Sequence, residues 1–207
     1  MSKVIAFEGL DFAGKSTMIE EIKERMAKDG LEMPVQYAEP RKDSEEWKDL
    51  RKMVISPTMP KVAQIYCSVA GRVSLYQDHI IPDLAAGNTV FEDRCLLTSM
   101  VYQQDPNHNE HDILLINVSA SRYLPRSVVP NVVVFLDITY DTYMERLGVG
   151  RDEVEAIETY LSNPDNFNRF RKGYHDALKA MQLACSTKVI IATNPNLVYE
   201  QLKPYLV

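Results

Sequence analysis

The chain has 207 residues, 45% of them hydrophobic, with 29 acidic and 23 basic side chains and a formal net charge of −6 at pH 7. This length suffices for a sizeable core, and because no linker or repeat divides the chain we expect one domain over 1–207. The acidic balance argues against a general nucleic-acid binder, whose phosphate contacts need a basic surface. No apolar run is long enough to span a bilayer, and three scattered cysteines fit a reducing compartment, so we expect a cytoplasmic protein.

A phosphate-binding motif follows the first predicted strand. Residues 4–8 favour β-structure and carry no charge before Glu8, which predicts a strand buried on both faces. The next eight residues match G-x-x-x-x-G-K-[ST], and 17–28 continue at helical spacing. In this context backbone amides cradle phosphate, Lys15 adds positive charge and the Ser16 hydroxyl is suited to Mg²⁺. The residues predicted to bind a nucleoside triphosphate are Gly9, Leu10, Asp11, Phe12, Ala13, Gly14, Lys15, Ser16 and Thr17.

The remaining chain alternates between strand and helix patterns. Four further strands are expected, at 34–38, 89–93, 131–138 and 188–192. Helices are expected at 44–54, 61–84, 98–104, 139–147, 167–181 and 197–205, and a polar loop at 105–109 with His108 and His111 in exposed positions. Five buried strands alternating with helices predict a three-layer α/β fold, in which a five-stranded parallel sheet lies between helices.

Charged residues follow the ends of two predicted strands. Glu39 and Arg41 follow the second strand, and Asp93 and Arg94 end the third. Because ligands bind at the carboxyl ends of parallel strands, we expect these side chains to face the crevice that holds the phosphate loop.

Two further arginines surround a turn that contains glycine. Arg146 and Arg151 lie on either side of Gly148 and Gly150. A short segment of this kind, about 146–153, predicts a lid that brings guanidinium groups over a triphosphate.

The ordered set of motifs resembles the thymidylate kinases, a family of P-loop nucleoside monophosphate kinases. The phosphate loop FEGLDFAGKST looks like theirs, and the resemblance continues over nearly the whole chain. AEPR resembles their R-E-P-G, VAGR their A-x-x-R and EDR their D-R-[YH]; similar segments are TSMVYQ, PNVVVFLDI and FNRFRKGY. No motif after the phosphate loop is specific alone, but their order is.

This resemblance implies a homodimeric kinase that transfers the γ-phosphoryl group of ATP to dTMP with Mg²⁺, using small nucleotides and no nucleic acid or membrane as partners. Arg72 would read the thymine base, Arg94 would hold the acceptor phosphate, and Ser16 and Asp93 would serve the metal. The catalytic set would be Lys15, Asp93, Arg94, Arg146 and Arg151. The acceptor would contact Asp11, Glu39, Arg41, Tyr66, Ser68, Arg72, Arg94, Tyr102 and Gln103.

The chain departs from the family pattern mainly on the acceptor side. Tyr66 is the nearest aromatic residue that could replace the ring usually found at position 68, and Arg41 or Lys42 could replace the arginine usually found at 38. The acceptor could therefore be dTMP, dUMP, dGMP or a modified pyrimidine nucleotide. The departing residues are Phe12, Ala38, Ser68 and Cys95.

Two alternatives remain open. The chain also resembles deoxyribonucleoside kinases at Glu39-Pro40, Trp47 and Glu92-Asp93-Arg94. Their acceptor is a neutral hydroxyl that needs a general base, which here would be Glu39. The second alternative is an ATP-binding regulatory protein without turnover.

Overall fold

The computed structural model describes residues 3–41, 43–149, 156–192 and 194–206. At its centre lies a five-stranded sheet in which every pairing is parallel. The strands are β1 (Val4–Glu8), β2 (Val35–Ala38), β3 (Val90–Asp93), β4 (Val132–Leu136) and β5 (Lys188–Ala192). Their spatial order is β2-β3-β1-β4-β5. The predicted α/β fold and all five predicted strands are confirmed.

Helices cover both faces of this sheet. They are α1 (Lys15–Lys28), α2 (Glu45–Val54), α3 (Lys61–Leu75), α4 (Ile81–Ala86), α5 (Leu96–Tyr102), α6 (Glu110–Ala120), α7 (Tyr140–Arg146), α8 (Ala156–Leu161), α9 (Pro164–Cys185) and α10 (Pro195–Leu202). A π-helical turn, Tyr76–Ile80, joins α3 to α4, so the predicted helix over 61–84 is continuous. None of the helices in the described ranges combines the length and hydropathy that crossing a bilayer requires.

Two helices, α6 and α8, were not anticipated. In α6 four apolar residues are consecutive, from Ile113 to Ile116, so the sequence lacks the three- and four-residue spacing of an amphipathic helix. Its first turn is fixed by a capping box between Asn109 and Asp112. His111 therefore lies in a helix, which corrects its expected place in a loop.

The core is divided between the two faces of the sheet. On β1, Ile5 and Phe7 pack with α1 and α10, whereas Ala6 faces the larger cluster that α5, α6 and α9 complete. The central strands β1 and β4 are buried throughout. The outer strands β2 and β5 are only partly buried, so the expectation of five buried strands was wrong for these two. Each has a neighbour on one side only, which leaves that edge near solvent.

The register of the sheet brings the charged strand ends together. Asp93 is paired with Phe7 of β1 on one side and with Ala38 of β2 on the other. The segments that begin at Gly9, Glu39 and Arg94 therefore leave the sheet at one edge. This is the carboxyl edge, where ligands bind in open parallel sheets.

Candidate active site

The phosphate loop joins β1 to α1 and is shaped by its glycines. Gly9 has φ +149°, and a Cβ built there would lie 2.7 Å from the carbonyl oxygen of Leu136. Gly14 precedes α1 with φ +93°. Both positions disfavour residues other than glycine because their φ angles are positive. At Gly9 a side chain would also collide with Leu136. The loop can therefore pass close to β4 and present its amides at the start of α1.

Lys15 lies inside this loop. Its Nζ donates hydrogen bonds to the carbonyl oxygens of Gly9 and Leu10, each at 3.2 Å. Burial lowers the pKa of Lys15 to about 8, and the positive charge of Arg94 acts in the same direction. A buried ammonium that is hydrogen-bonded to carbonyl oxygens is poised to bind an anion, because a phosphate would offset the loss of its hydration.

Arg146 lies against the outer side of the phosphate loop. Its Nη1 donates to the carbonyl oxygens of Phe12 at 3.0 Å and Ala13 at 3.3 Å. The predicted lid is described only as far as 149, and Arg151 lies outside the described residues. The proposed place of Arg151 over a triphosphate therefore stays a prediction. Arg146, by contrast, lies beside the phosphate loop.

Arg94 connects the phosphate loop with the end of β3. Its Nη2 lies 2.5 Å from Asp11 Oδ1, and its Nη1 donates to the Gly9 carbonyl at 3.3 Å and to Thr98 Oγ1 at 3.2 Å. The residue has φ +68°, which is uncommon for a side chain of this size. This backbone turn directs the guanidinium back over β1 and toward the loop.

Glu8 supports both segments from beneath and was not among the predicted site residues. Its fully buried carboxylate accepts hydrogen bonds from the backbone amides of Cys95 at 2.8 Å and Thr98 at 3.1 Å. The Thr98 hydroxyl also donates to it. Glu8 thereby ties the end of β1 to the turn that holds Arg94. The available signal was an acid that ends an otherwise apolar buried strand.

Asp93 and Ser16 have the chemistry expected of Mg²⁺ ligands. Asp93 Oδ1 is buried and has no hydrogen-bond partner within the described chain. Its charge also acts on Lys15. Carboxylate and hydroxyl oxygens suit Mg²⁺, which retains waters and substrate phosphates and needs few protein ligands. The residues present therefore fit this ion.

A cavity of about 600 Å³ opens beside the phosphate loop. Asp11 and Arg94 form the wall that it shares with that loop. Most of the predicted acceptor residues line it: Asp11, Glu39, Arg41, Ser68, Arg72, Arg94, Tyr102 and Gln103. Sequence reasoning missed the wall formed by α2, whose lining residues are Trp47, Leu50, Arg51 and Val54. The volume falls in the range of small-molecule sites.

Tyr66 does not belong to this lining. Its side chain is 59% exposed, and α3 presents Gln64, Ser68 and Arg72 to the cavity instead. Two residues advance a helix by about 200°, so Tyr66 and Ser68 point in nearly opposite directions. The prediction that Tyr66 replaces the missing ring is wrong. Gln103 fills part of the region, donating from Nε2 to Ser68 Oγ at 2.8 Å.

Arg72 is buried within the cavity wall and paired with Glu39. Its Nε lies 2.8 and 2.9 Å from the two oxygens of that carboxylate. Its other nitrogens donate to Asn117 and Ser99 as well as to Glu39. The guanidinium is thus held mainly by protein acceptors, and base reading by Arg72 stays a prediction.

A second buried carboxyl group, Glu92, adjoins this pair. Tyr76 donates its hydroxyl to Glu92 Oε2 at 3.2 Å. Burial and the nearby charge of Glu39 raise the pKa of Glu92 well above its usual value. Burial raises the pKa of Glu39 as well, but Arg72 bonds directly to Glu39 and acts on Glu92 only through its charge. We therefore assign the proton to Glu92 and the negative charge to Glu39.

Arg41 borders the acceptor cavity, and its guanidinium is bonded within the protein. Its five N–H bonds are directed at acceptors within the protein. A direct hydrogen bond from Arg41 to an acceptor nucleotide would require breaking one of them. A direct contact between Arg41 and the acceptor therefore stays a prediction.

Comparisons with known proteins agree with the fold and with the family that the motifs indicate. A family model described as thymidylate kinase matches residues 7–202. A protein named thymidylate kinase from Akkermansia muciniphila is 32% identical over 158 residues, 76% of this chain and 72% of that protein. Another so named, from Thermoanaerobacter sp. (strain X514), is 28% identical over 183 residues, 86% of this chain and 84% of that protein.

The fold is also found in a solved structure. The crystal structure of thymidylate kinase from Ehrlichia chaffeensis superposes with a TM-score of 0.67, at 19% identity and over 98% of both chains. The resemblance inferred from the motifs is thereby confirmed. The chain belongs to the thymidylate kinase family.

Proposed function

We propose that this chain, acting as a single domain, transfers the γ-phosphoryl group of ATP to dTMP, giving ADP and dTDP. The observation that carries the proposal is the position of Arg94, which bonds to Asp11 of the phosphate loop and also lines the acceptor cavity. Donor and acceptor sites thus share one wall. This is the arrangement that direct transfer between two bound nucleotides requires.

The reaction requires alignment and neutralisation of charge. An oxygen of the dTMP phosphate bonds to the γ-phosphorus of ATP, while the bond from that phosphorus to the β–γ bridging oxygen breaks and leaves ADP. The attacking oxygen is already anionic, so no strong base is needed. Arg94 orients the acceptor phosphate, and Lys15 and Arg146 offset the charge that develops around the transferring group.

Ser16 and Asp93 would hold Mg²⁺, which supplies further positive charge to the triphosphate when bound. The unpartnered Oδ1 of Asp93 supports this assignment. Ser68, Tyr102 and Gln103 would surround the sugar and base, and Arg151 would join Arg146 in the lid. A homodimer, the absence of a nucleic-acid partner and a cytoplasmic location complete the proposal, on the basis of the family and the composition.

The deoxyribonucleoside kinase alternative requires Glu39 as a general base. Glu39 is bonded through both oxygens to the buried Arg72. This pairing supports the monophosphate kinase, because both oxygens of Glu39 already accept hydrogen bonds from Arg72, which would have to move before Glu39 could take a proton from a nucleoside hydroxyl. The comparisons do not favour this alternative or a non-catalytic protein.

The test is ADP release from ATP and Mg²⁺ in a coupled assay. dTMP, dUMP, dGMP and thymidine are offered separately, and the Lys15→Met variant serves as the matched control without the phosphate-loop charge. We expect turnover with dTMP, none with thymidine and a loss of at least about a hundredfold in the variant. Turnover with thymidine alone would overturn the proposal in favour of the nucleoside kinase.

A further inference from the structure

Helix α2 forms one wall of the acceptor cavity and packs against α3 without fully burying a side chain of its own. Trp47, Leu50 and Val54 face the cavity. None of the ten residues of α2 is buried. A helix of this length is marginal in water and obtains its stability from packing, so its position needs other contacts.

One set of contacts surrounds Arg41, in the segment between β2 and α2. We call it the Arg41 cluster and define it as Arg41, Asp43, Trp47, Ser74, Asp78 and His79. The guanidinium lies 2.9 and 2.5 Å from the two oxygens of Asp43, 2.7 Å from Ser74 Oγ, 2.8 Å from Asp78 Oδ2 and 3.0 Å from His79 Nε2. All five N–H donors of an arginine are engaged in this way.

The flat face of the same guanidinium covers Trp47. The Arg41 carbon Cζ lies 4.6 Å from the centre of the indole ring, a cation–π geometry. Trp47 is in the first turns of α2, whereas Ser74 is at the end of α3 and Asp78 and His79 are in the π-helical turn. Arg41 therefore connects the start of α2 to the long helix behind it.

The rest of α2 is fixed by other means. Leu50 lies so close to Gly71 that a Cβ at that glycine would be 3.2 Å from Leu50 Cδ2. After its end, Gln64 Nε2 donates to the carbonyl oxygens of Ser56 at 2.6 Å and Met59 at 3.0 Å. Its middle and its far end thus have contacts that do not depend on Arg41.

We propose that Arg41 is a positioning residue for the acceptor site, which fixes the first turn of α2 as a cavity wall and makes no bond to the acceptor. The acceptor's identity rests on the proposed function, but the role of Arg41 does not require turnover to be observed. Substitution of Asp78 tests this positioning role, because Asp78 belongs to the Arg41 cluster and does not line the cavity.

Trp47 provides a direct readout, since it is the only tryptophan of the chain. The experiment compares wild type with Arg41→Ala, Arg41→Lys and Asp78→Ala. Quenching of tryptophan fluorescence by acrylamide reports exposure of the indole ring, titration of that fluorescence with dTMP or ATP gives dissociation constants, and the coupled assay gives kcat and KM. Arg171→Ala is the matched control, because Arg171 also pairs with an aspartate, Asp137, at 2.5 and 2.7 Å.

We expect Arg41→Ala to increase quenching of Trp47 and to raise the dissociation constant and KM for dTMP about tenfold or more, with ATP binding changed by less than about twofold. Arg41→Lys should behave similarly, because an ammonium cannot make the five-point arrangement. Asp78→Ala should raise the KM for dTMP in the same direction. Arg171→Ala should change neither quenching nor the KM for dTMP.

Two outcomes would overturn the proposal. The first is unchanged quenching and dTMP affinity in Arg41→Ala. The second is a rise in KM for Arg41→Ala that Arg41→Lys rescues and Asp78→Ala does not reproduce, because this pattern indicates a direct charge contact. Failure of the proposed function is distinguishable, since it would appear as wild type that neither binds nor phosphorylates dTMP while the quenching difference between wild type and Arg41→Ala persists.

Discussion

Arg72 and Glu39 form a buried ion pair in which Nε of the arginine bridges both carboxylate oxygens, at 2.8 and 2.9 Å. The arginine is 3% exposed. The pair fastens α3 to the segment after β2, directly beside the acceptor cavity. The ion pair therefore helps to fix the shape of the acceptor cavity, in addition to any contact that either residue makes with a nucleotide.

Replacing Glu39 by glutamine should lower stability far more than the same replacement at Glu92. Glu39→Gln leaves the buried Arg72 without its anion, and we expect the free energy of unfolding to fall by about 3 kcal/mol. Glu92→Gln mimics the protonated form that the raised pKa of Glu92 favours, so the loss in free energy of unfolding should stay below about 1 kcal/mol. Urea unfolding at pH 7 measures both.

The Glu39→Gln variant also tests whether Glu39 acts as a general base in catalysis. At a temperature where Glu39→Gln is folded, its kcat with dTMP should fall by less than about tenfold, since an anionic acceptor needs no general base. A loss of three orders of magnitude or more, with Glu92→Gln fully active, would contradict this expectation and point to Glu39 as the base.

The binding of ATP should depend on the charge of Lys15. Its pKa is lowered to about 8, chiefly by burial, so the free protein loses this positive charge as pH rises through that value. We expect the dissociation constant for ATP to rise by about tenfold between pH 7 and 9.5, as measured by calorimetry. Lys15→Arg should remove this dependence, because arginine remains charged. A wild-type profile as flat as that of the variant would contradict the assignment.

The same shift in pKa has an effect on stability with a defined sign. From about pH 8 to the ordinary lysine value near 10.5, the unfolded chain binds the proton that folded Lys15 has released. Stability relative to Lys15→Met should therefore rise with pH across that window. Below pH 8 the buried charge is present, and the variant should be the more stable protein. Thermal unfolding of both proteins from pH 7 to 10 tests the sign.

Gly9 and Gly30 should respond differently to the same substitution. Both have positive φ, +149° and +70°, so alanine is strained at either position. At Gly9 the new Cβ would also meet the Leu136 carbonyl at 2.7 Å, whereas nothing lies within 4 Å at Gly30. We expect Gly30→Ala to cost about 1 kcal/mol and Gly9→Ala at least about 3 kcal/mol, by urea unfolding. Equal losses would show that the contact with β4 does not restrict the loop.

Loss of Arg94 should mainly affect the use of dTMP, whereas loss of Arg146 should mainly affect the use of ATP. Arg94 lines the acceptor cavity, and Arg94→Ala should lower kcat/KM for dTMP by about 10²- to 10³-fold. Arg146 contacts the phosphate loop at Phe12 and Ala13, so Arg146→Ala should mainly raise the KM for ATP. Initial-rate kinetics with each substrate varied in turn separate the two effects. The assignment fails if Arg94→Ala changes the KM for ATP more than that for dTMP.

The sequence alone determined the parts of this protein that depend on local chemistry. The phosphate loop was recognisable because glycine spacing and Lys15-Ser16 have a fixed relation to one turn of backbone. The inner strands β1, β3 and β4 were recognisable because buried parallel strands are short apolar runs between breakers. Placement of Glu39 and Arg94 at one edge followed from the sheet topology, since parallel strands end on the same side.

Only the tertiary structure decided which partner each charged side chain takes. Three arginines cannot be told apart by their sequence context, yet each has a different partner. Arg41 bonds to Asp78 in the Arg41 cluster, Arg72 to the buried Glu39, and Arg94 to Asp11 of the phosphate loop. The position of Tyr66 outside the cavity and the wall formed by α2 depended likewise on how helices are rotated and docked. Most of these partners lie tens of residues apart in the chain, and their choice depends on burial and distance, which residue spacing does not encode.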